Sequence, residues 1–248
     1  MAVGLTGIVL LATAPAGGQP RDVVAVEGAA EGLFFDLDIV ATPPREEGDA
    51  VVPPGAGVEP QGAASVGFGP APVVVVGPQS GAGTDFLLDI AIQTGPFPPF
   101  TAERAEVSTE GVTGSGGLTR SSSRILDFDF GGIAGDQATS ECEATTAGVA
   151  GSTNFVNATL GVSDPAPNTV ITKAEQPVLS ANITIILNEQ EVVASPLGQR
   201  IEVTALHVLA APSSAPDTQF VGEFYIGRSV CGVSLAPVAV VVEPTFTG

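Results

Sequence analysis

The side chains in this sequence that could do chemistry start with a single histidine. His207 is the one imidazole among 248 residues, so any Ser-His-Asp triad would have to use it. It alternates with Val203, Ala205 and Leu209 in a strand-like run, which predicts a structural histidine that points into or beside the core. If the two cysteines form a disulfide, one histidine cannot complete a zinc site of the ordinary ligand type. These residues favour a protein without enzymatic activity.

Pairs of carboxylates are the second group that could do chemistry. Each pair has i, i+2 spacing, which places both side chains on one face of a strand. Such pairs can lie on a solvated surface, bind a divalent cation or flank the sugar in a glycosidase. The pairs in this chain are Asp36/Asp38, Asp127/Asp129, Glu141/Glu143 and Glu189/Glu191.

The composition separates these alternatives. Sugar-binding sites usually place Trp or Tyr beneath the sugar ring, and this chain has no Trp and a single Tyr, Tyr225. A glycosidase is therefore the least favoured interpretation. None of the pairs has the D-x-[DN]-x-[DN]-G spacing of a calcium loop, so a solvated surface is the simplest interpretation and no cofactor is expected. Calcium is the one ion left open, with Asp36, Asp38, Asp127 and Asp129 as its candidate ligands.

The role of the two cysteines, Cys142 and Cys231, depends on the compartment. In a cytosolic enzyme they would be catalytic or metal-binding, whereas in an exported chain they predict a disulfide. Closing a loop of about 90 residues would stabilise the fold by roughly 4 kcal/mol, because the bond restricts the unfolded chain. Two separate buried thiols are the alternative.

The charge balance excludes several classes of partner. The chain has 27 acidic and 8 basic side chains and a formal net charge of -19. Nucleic-acid phosphates and anionic membrane surfaces repel such a chain, so neither is an expected partner. An extracellular protein or polysaccharide is the class of partner that remains. The bias towards Ala, Gly, Val and Pro, with Lys173 as the only lysine, indicates a GC-rich bacterial coding sequence.

The first residues are typical of an export signal. Residues 4–14 are apolar but too short to span a bilayer as a helix, and small residues at 12–16 fit a cleavage site. We expect residues 1–16 to be a signal peptide and residues 17–248 to form one extracellular domain with no other membrane insertion. The usual basic n-region is missing, so a misplaced start codon or a strand at this point is the alternative.

The fold class follows from the positions of turn-forming residues along the chain. The 31 glycines and 21 prolines separate short apolar runs, which predicts an all-β, sandwich-like assembly of short antiparallel strands. Residues 181–188, 191–195 and 200–210 are predicted as strands of a meander, with turns at 188–190 and 196–198. A last strand over 220–230 leads directly to Cys231. The Pro/Gly/Glu-rich residues 42–62 are predicted to be a flexible loop.

Several segments resemble one family. They are SECEA at 140–144, LNEQ at 187–190, IEVTALHV at 201–208 and IGRSVCG at 226–232. Together they look like the choice-of-anchor P proteins, exported proteins of actinobacteria with interchangeable C-terminal anchors. The resemblance covers roughly residues 22–235. It implies a secreted or surface-displayed β-rich domain of unassigned activity with Cys142 and Cys231 as its cysteine pair, and it brings no catalytic residues.

The sequence therefore predicts an exported, non-enzymatic bacterial domain, secreted or at the cell surface, with a structural, adhesive or ligand-binding role. A calcium- or small-ligand-binding module is the alternative, and a polymer hydrolase is a weaker one. The apolar run at 238–242 is too short for a membrane anchor and no sorting motif follows it, so release and truncation both stay open.

Overall fold

The structure of the protein, a computed structural model, describes residues 21–41, 63–92, 100–160, 163–171, 183–210 and 218–237. These residues form strands, turns and loops, and none of them forms a helix able to cross a membrane. The predicted signal peptide, 1–16, and the predicted loop, 42–62, lie outside the described residues. The strands are β1 Val23–Ala41, β2 Ala63–Val76, β3 Gly81–Ile92, β4 Phe100–Val112, β5 Leu118–Phe130, β6 Ile133–Thr145, β7 Val149–Val156, β8 Thr169–Ile171, β9 Ile183–Ser195, β10 Gly198–Ala210 and β11 Thr218–Leu235.

The strands pack as two antiparallel sheets, so the predicted all-β sandwich is confirmed. One sheet has six strands in the order β2-β1-β11-β10-β9-β8, and the other has five in the order β3-β4-β5-β6-β7. The chain passes from the first sheet to the second at the turn after β2, builds the second sheet from consecutive neighbours, and then returns. The last strand, β11, pairs with both β1 and β10 and so lies in the middle of the six-stranded sheet.

Two local predictions differ from the structure. The predicted turn at 188–190 is wrong, because β9 continues through it. Asn188 has a left-handed φ of 50°, which asparagine tolerates better than most residues, and pairing with β10 continues on both sides of it. Strands β6 and β7 were not predicted, since their Ser-, Thr- and Gly-rich sequences lack a clear apolar alternation. Cys231 lies within β11 rather than after it.

Residues with a left-handed backbone conformation, that is with positive φ, lie in a row across each sheet. In the five-stranded sheet they are Asp89 in β3, Asp127 in β5 and Asn157 after β7, with φ of 52°, 47° and 49°. In the six-stranded sheet Asn188 and Gly227 lie on the row through Ala205. At this row the alternation of inward- and outward-facing side chains shifts by one residue. In β4, for example, buried positions change from 100 and 102 to 105 and 107. Each sheet therefore bends while its apolar side still faces the core.

Two apolar clusters fill the sandwich on either side of a polar seam. The larger cluster is rich in phenylalanine, and Phe224 packs against Phe100 and Phe130 with ring centroids 5.5 and 5.3 Å apart. The smaller cluster surrounds the disulfide between Cys142 and Cys231. This bond joins β6 to β11 across the two sheets, with the Cα atoms 5.9 Å apart. The predicted disulfide is therefore confirmed.

The seam between the clusters consists of buried hydroxyls that reach the opposite sheet. Thr119 Oγ1 donates to the Gly232 carbonyl and Ser121 Oγ to the Val230 carbonyl, each at 2.8 Å. The Ser140 and Ser229 hydroxyls are also 2.8 Å apart. All these contacts end on β11. Since buried polar groups must find partners, the seam fixes the distance between the sheets as well as their lateral position.

The disulfide makes a testable contribution to stability. Replacing both Cys142 and Cys231 with alanine is expected to lower the free energy of unfolding by about 4 kcal/mol, because the closed loop spans 89 residues. Urea unfolding under non-reducing conditions measures this loss. A reductant should produce a comparable loss in the wild type and none in the double variant. A loss below about 1 kcal/mol would contradict the role given to the bond.

Candidate functional site

His207 lies on the outer face of the six-stranded sheet, and not in the core. It is buried, as expected, but its neighbours Leu206 and Val208 are the residues that face the core. The reason is that the alternation of inward- and outward-facing side chains shifts by one residue at Ala205. Extending the alternation from Val203 would therefore place His207 on the wrong face. The prediction allowed His207 to point into the core or beside it, and the structure excludes the first position, because the histidine is buried on the opposite face of the sheet.

The surroundings of His207 hold it in place. Its ring stacks on Tyr225 with centroids 4.2 Å apart, and Nδ1 lies 2.7 Å from Oε2 of Glu189. Nε2 lies 3.8 Å from Oε2 of Glu223 and is sealed from solvent. Tyr225 donates its hydroxyl to Glu223, and burial together with this bond raises the pKa of Tyr225. A sealed Nε2 cannot reach a substrate, so the cluster serves to join β9, β10 and β11.

A network of ion pairs continues along the same face. Arg228 contacts Glu202 at 2.5 Å through Nε and Glu31 at 3.0 Å through Nη1. Arg200 contacts Glu202 and Glu27, both at 3.1 Å. Burial alone would raise the pKa of Glu202, but its bonds to Arg228 and Arg200 outweigh burial and lower that pKa. The network therefore stabilises the folded state through the ionised form of Glu202 and joins β1, β11 and β10.

Replacing Glu202 with glutamine tests this network. We expect a loss of about 2 kcal/mol in unfolding free energy at neutral pH, since charged hydrogen bonds are removed. The folded-state pKa is lowered, so the contribution is complete above the ordinary value of 4.5 and is lost as the pH falls through the lowered value. The difference in unfolding free energy between wild type and variant should therefore become smaller in acid. Urea titrations over a pH series measure it, with Glu141→Gln, an exposed position on the other sheet, as control. A difference independent of pH would contradict the assignment.

The predicted calcium ligands are divided between the two sheets. Asp127 and Asp129 are exposed on the five-stranded sheet, as their alternation with buried phenylalanines predicts. Asp129 Oδ1 accepts the Gly132 amide at 3.0 Å and so caps the turn between β5 and β6. Asp36 and Asp38 lie in β1 of the other sheet, and their side chains are outside the described part. In the described part of the chain, no three His, Cys, Asp or Glu side chains converge as metal ligands.

Asp127 contacts another carboxyl group, that of Glu103 on the neighbouring strand. The hydrogen bond to Asp127 and the charge of Asp127 raise the pKa of Glu103, and the charge of Asp89 adds to the effect. Asp89 and Asp127 are two of the left-handed residues described above, and Glu103 lies on β4 between their strands. Sequence spacing did not suggest this contact, because it depends on which residues the strand register brings together.

The substitution Glu103→Gln tests this repulsion. A raised folded-state pKa means that the contribution of Glu103 is favourable below its ordinary value of 4.5 and is lost as the pH rises through the raised value. We therefore expect the variant to melt at a higher temperature than the wild type at neutral pH, and the difference to vanish in acid. Scanning calorimetry at both pH values measures this, with Glu191→Gln as the control. A lower melting temperature at neutral pH would contradict the assignment.

An open groove crosses the outer face of the five-stranded sheet. We call it the hydroxyl groove, because its floor is a row of polar side chains, one from each strand and all in register, of which four are short hydroxyl residues. The row consists of Thr84, Ser108, Ser122, Glu141 and Ser152. The groove has a volume of about 830 Å³. Short side chains in this row, between longer ones on either side, leave the depression.

Charged residues line one side of the hydroxyl groove. Arg120 lies 2.6 Å from Glu143 and 3.5 Å from Glu110, and the bond to Glu143 raises the pKa of the guanidinium. In the next row of the sheet, outside the lining of the groove, Glu106 pairs with Arg124 and Arg104. Glu141, on the floor, forms no ion pair with any residue that the structure describes. The groove thus presents hydroxyls around one carboxylate that is free to bind.

Sequence reasoning found part of this site. It identified Glu141 and Glu143 as a pair on one face, and the structure places both at the groove. The hydroxyls were not predicted, because serine and threonine on the exposed face of a strand form no recognisable sequence pattern. The run RSSSR at 120–124 was the available signal, since it alternates long and short side chains on one face.

Comparisons with known proteins identify no relative of this chain. No family model, no curated protein and no solved structure matches the chain. The resemblance to choice-of-anchor P proteins therefore rests on the sequence segments given above.

Proposed function

We propose that this chain is an exported bacterial domain without enzymatic activity, secreted or displayed at the cell surface, which binds an extracellular partner. The observation that carries the proposal is the Cys142–Cys231 bond between the two sheets. Disulfides of this kind persist in oxidising compartments outside the cytosol. The acidic composition and the resemblance to actinobacterial choice-of-anchor P proteins agree with this location.

The arrangement of polar groups supports binding over catalysis. The single imidazole is sealed on the six-stranded sheet, whereas the hydroxyl groove lies on the other sheet, so the two cannot act on one substrate. The groove instead offers hydrogen-bonding groups on a rigid surface, which suits adhesion or ligand binding. A polymer hydrolase is the weaker alternative, because it would have to use carboxylates alone.

Calcium binding is a second candidate, favoured by the contact between the carboxyl groups of Glu103 and Asp127. A cation between them would relieve their repulsion, and a ligand that binds only the folded state raises its stability. Thermal unfolding with millimolar calcium and then with chelator tests it. A rise in melting temperature that the chelator reverses would support this function, and no shift would count against it.

Cell fractionation tests the main proposal. The full chain, expressed in an actinobacterial host, should be found in the medium or the cell wall, without residues 1–16 and with Cys142 and Cys231 oxidised. Non-reducing mass spectrometry of each fraction measures both features. Recovery from the cytoplasm with free thiols and an intact N-terminus would contradict it.

A further inference from the structure

We propose that the hydroxyl groove binds a linear glycan that carries free amino groups and lies across the strands. The inference rests on the proposed function, because it names the class of ligand for an extracellular binding domain. Three properties of the groove support it, namely its dimensions, its charge and its lack of apolar anchors for a protein partner. Because no Trp or Tyr lies beneath the sugar rings, binding would depend on hydrogen bonds and charge pairing.

The dimensions fit an extended polymer of sugars. Neighbouring strands lie about 4.8 Å apart, so the five side chains of the floor span about 19 Å in a straight line. This spacing is close to the rise of one sugar ring in an extended glycan, so each ring can meet the side chain of one strand. Ser108 and Ser122 hold their hydroxyls 2.8 Å apart, which orders the centre of the row.

The charge of the groove selects for a cationic ligand. Its lining contains the carboxylates of Glu110, Glu141 and Glu143 and a single guanidinium, that of Arg120. Arg120 is shared between Glu110 and Glu143, and Glu141 has no ion pair among the described residues. The chain as a whole carries a net charge of -19. An anionic glycan would be repelled, whereas an amino group can pair with Glu141 among hydroxyls that bind the remaining sugar oxygens.

The lining also argues against a protein partner. Protein interfaces depend on large aromatic or aliphatic side chains buried in pockets, and the lining of this groove contains none. An extended peptide would bind by adding a strand at a sheet edge, but the groove crosses the middle of the sheet.

Calorimetric titration of the full, oxidised protein tests the inference. The probes are a short oligomer of glucosamine and the same oligomer fully N-acetylated, which keeps the backbone and removes the charge. We expect the glucosamine oligomer to bind and the acetylated one to bind about tenfold more weakly, as for the loss of one charged hydrogen bond. Equal binding of the two, or no binding of either, would overturn the inference.

Matched variants test the position of the site. Glu141→Gln is expected to weaken glucosamine binding about tenfold with an unchanged melting temperature, because the side chain is exposed and has no ion pair to lose. Glu191→Gln removes the same charge from the other sheet and should bind like the wild type. Equal affinities of the two variants would overturn the assignment to the groove.

An oligomer of lysine of similar length controls for simple charge attraction. We expect it to bind more weakly than glucosamine and to be insensitive to Glu141→Gln. Lysine binding as tight as glucosamine binding would overturn the glycan assignment. A protein recovered outside the cell that fails these titrations would refute the glycan alone, whereas a cytoplasmic protein would refute the proposed function.

Discussion

The close approach of the two sheets along β11 is the constraint on which the rest of the structure depends. Hydroxyls from β5 donate to carbonyls of β11, and the disulfide joins β11 to β6. This approach requires small residues, and an added Cβ at Gly28 would lie against Thr109 and only 2.9 Å from Thr119 Cγ2. A sandwich with a polar seam gains less from apolar burial than a fully apolar one. The hydroxyl bonds and the disulfide offset this by fixing the sheets to each other.

The seam also shapes the outer faces. Since the inner residues near it are small, the sheets must bend to enclose the larger phenylalanine cluster at one end. Left-handed Asp, Asn and Gly residues permit that bend, because these types tolerate positive φ at the least cost. The bend shifts the alternation by one residue in several strands. That shift places His207 on the outer face and brings Asp127 to Glu103. The five polar residues of the hydroxyl groove lie in register on the five-stranded sheet, away from this shift.

The sequence predicted what depends on local pattern and missed what depends on register. Turn residues and apolar runs were enough to predict the all-β class, and the expectation of export, together with two cysteines, was enough to predict the Cys142–Cys231 bond. The alternation of Asp127 and Asp129 with phenylalanines correctly indicated their exposed face. The continuation of β9 through Asn188 was missed, because a left-handed asparagine has the same local signature in a strand as in a turn. The groove was beyond prediction from one sequence, since five separate strands must pair in one register to form it.

The substitution Gly28→Ala tests the central claim, that close approach at the seam holds the fold. The control is Gly148→Ala, because an added Cβ at Gly148 meets no atom within 4 Å. Alanine at an unstrained, open position should be neutral or slightly stabilising through the unfolded chain. At Gly28 the same methyl group overpacks the seam, and we expect the free energy of unfolding, measured by urea titration, to fall by about 2 kcal/mol. Equal stabilities of the two variants would contradict the account.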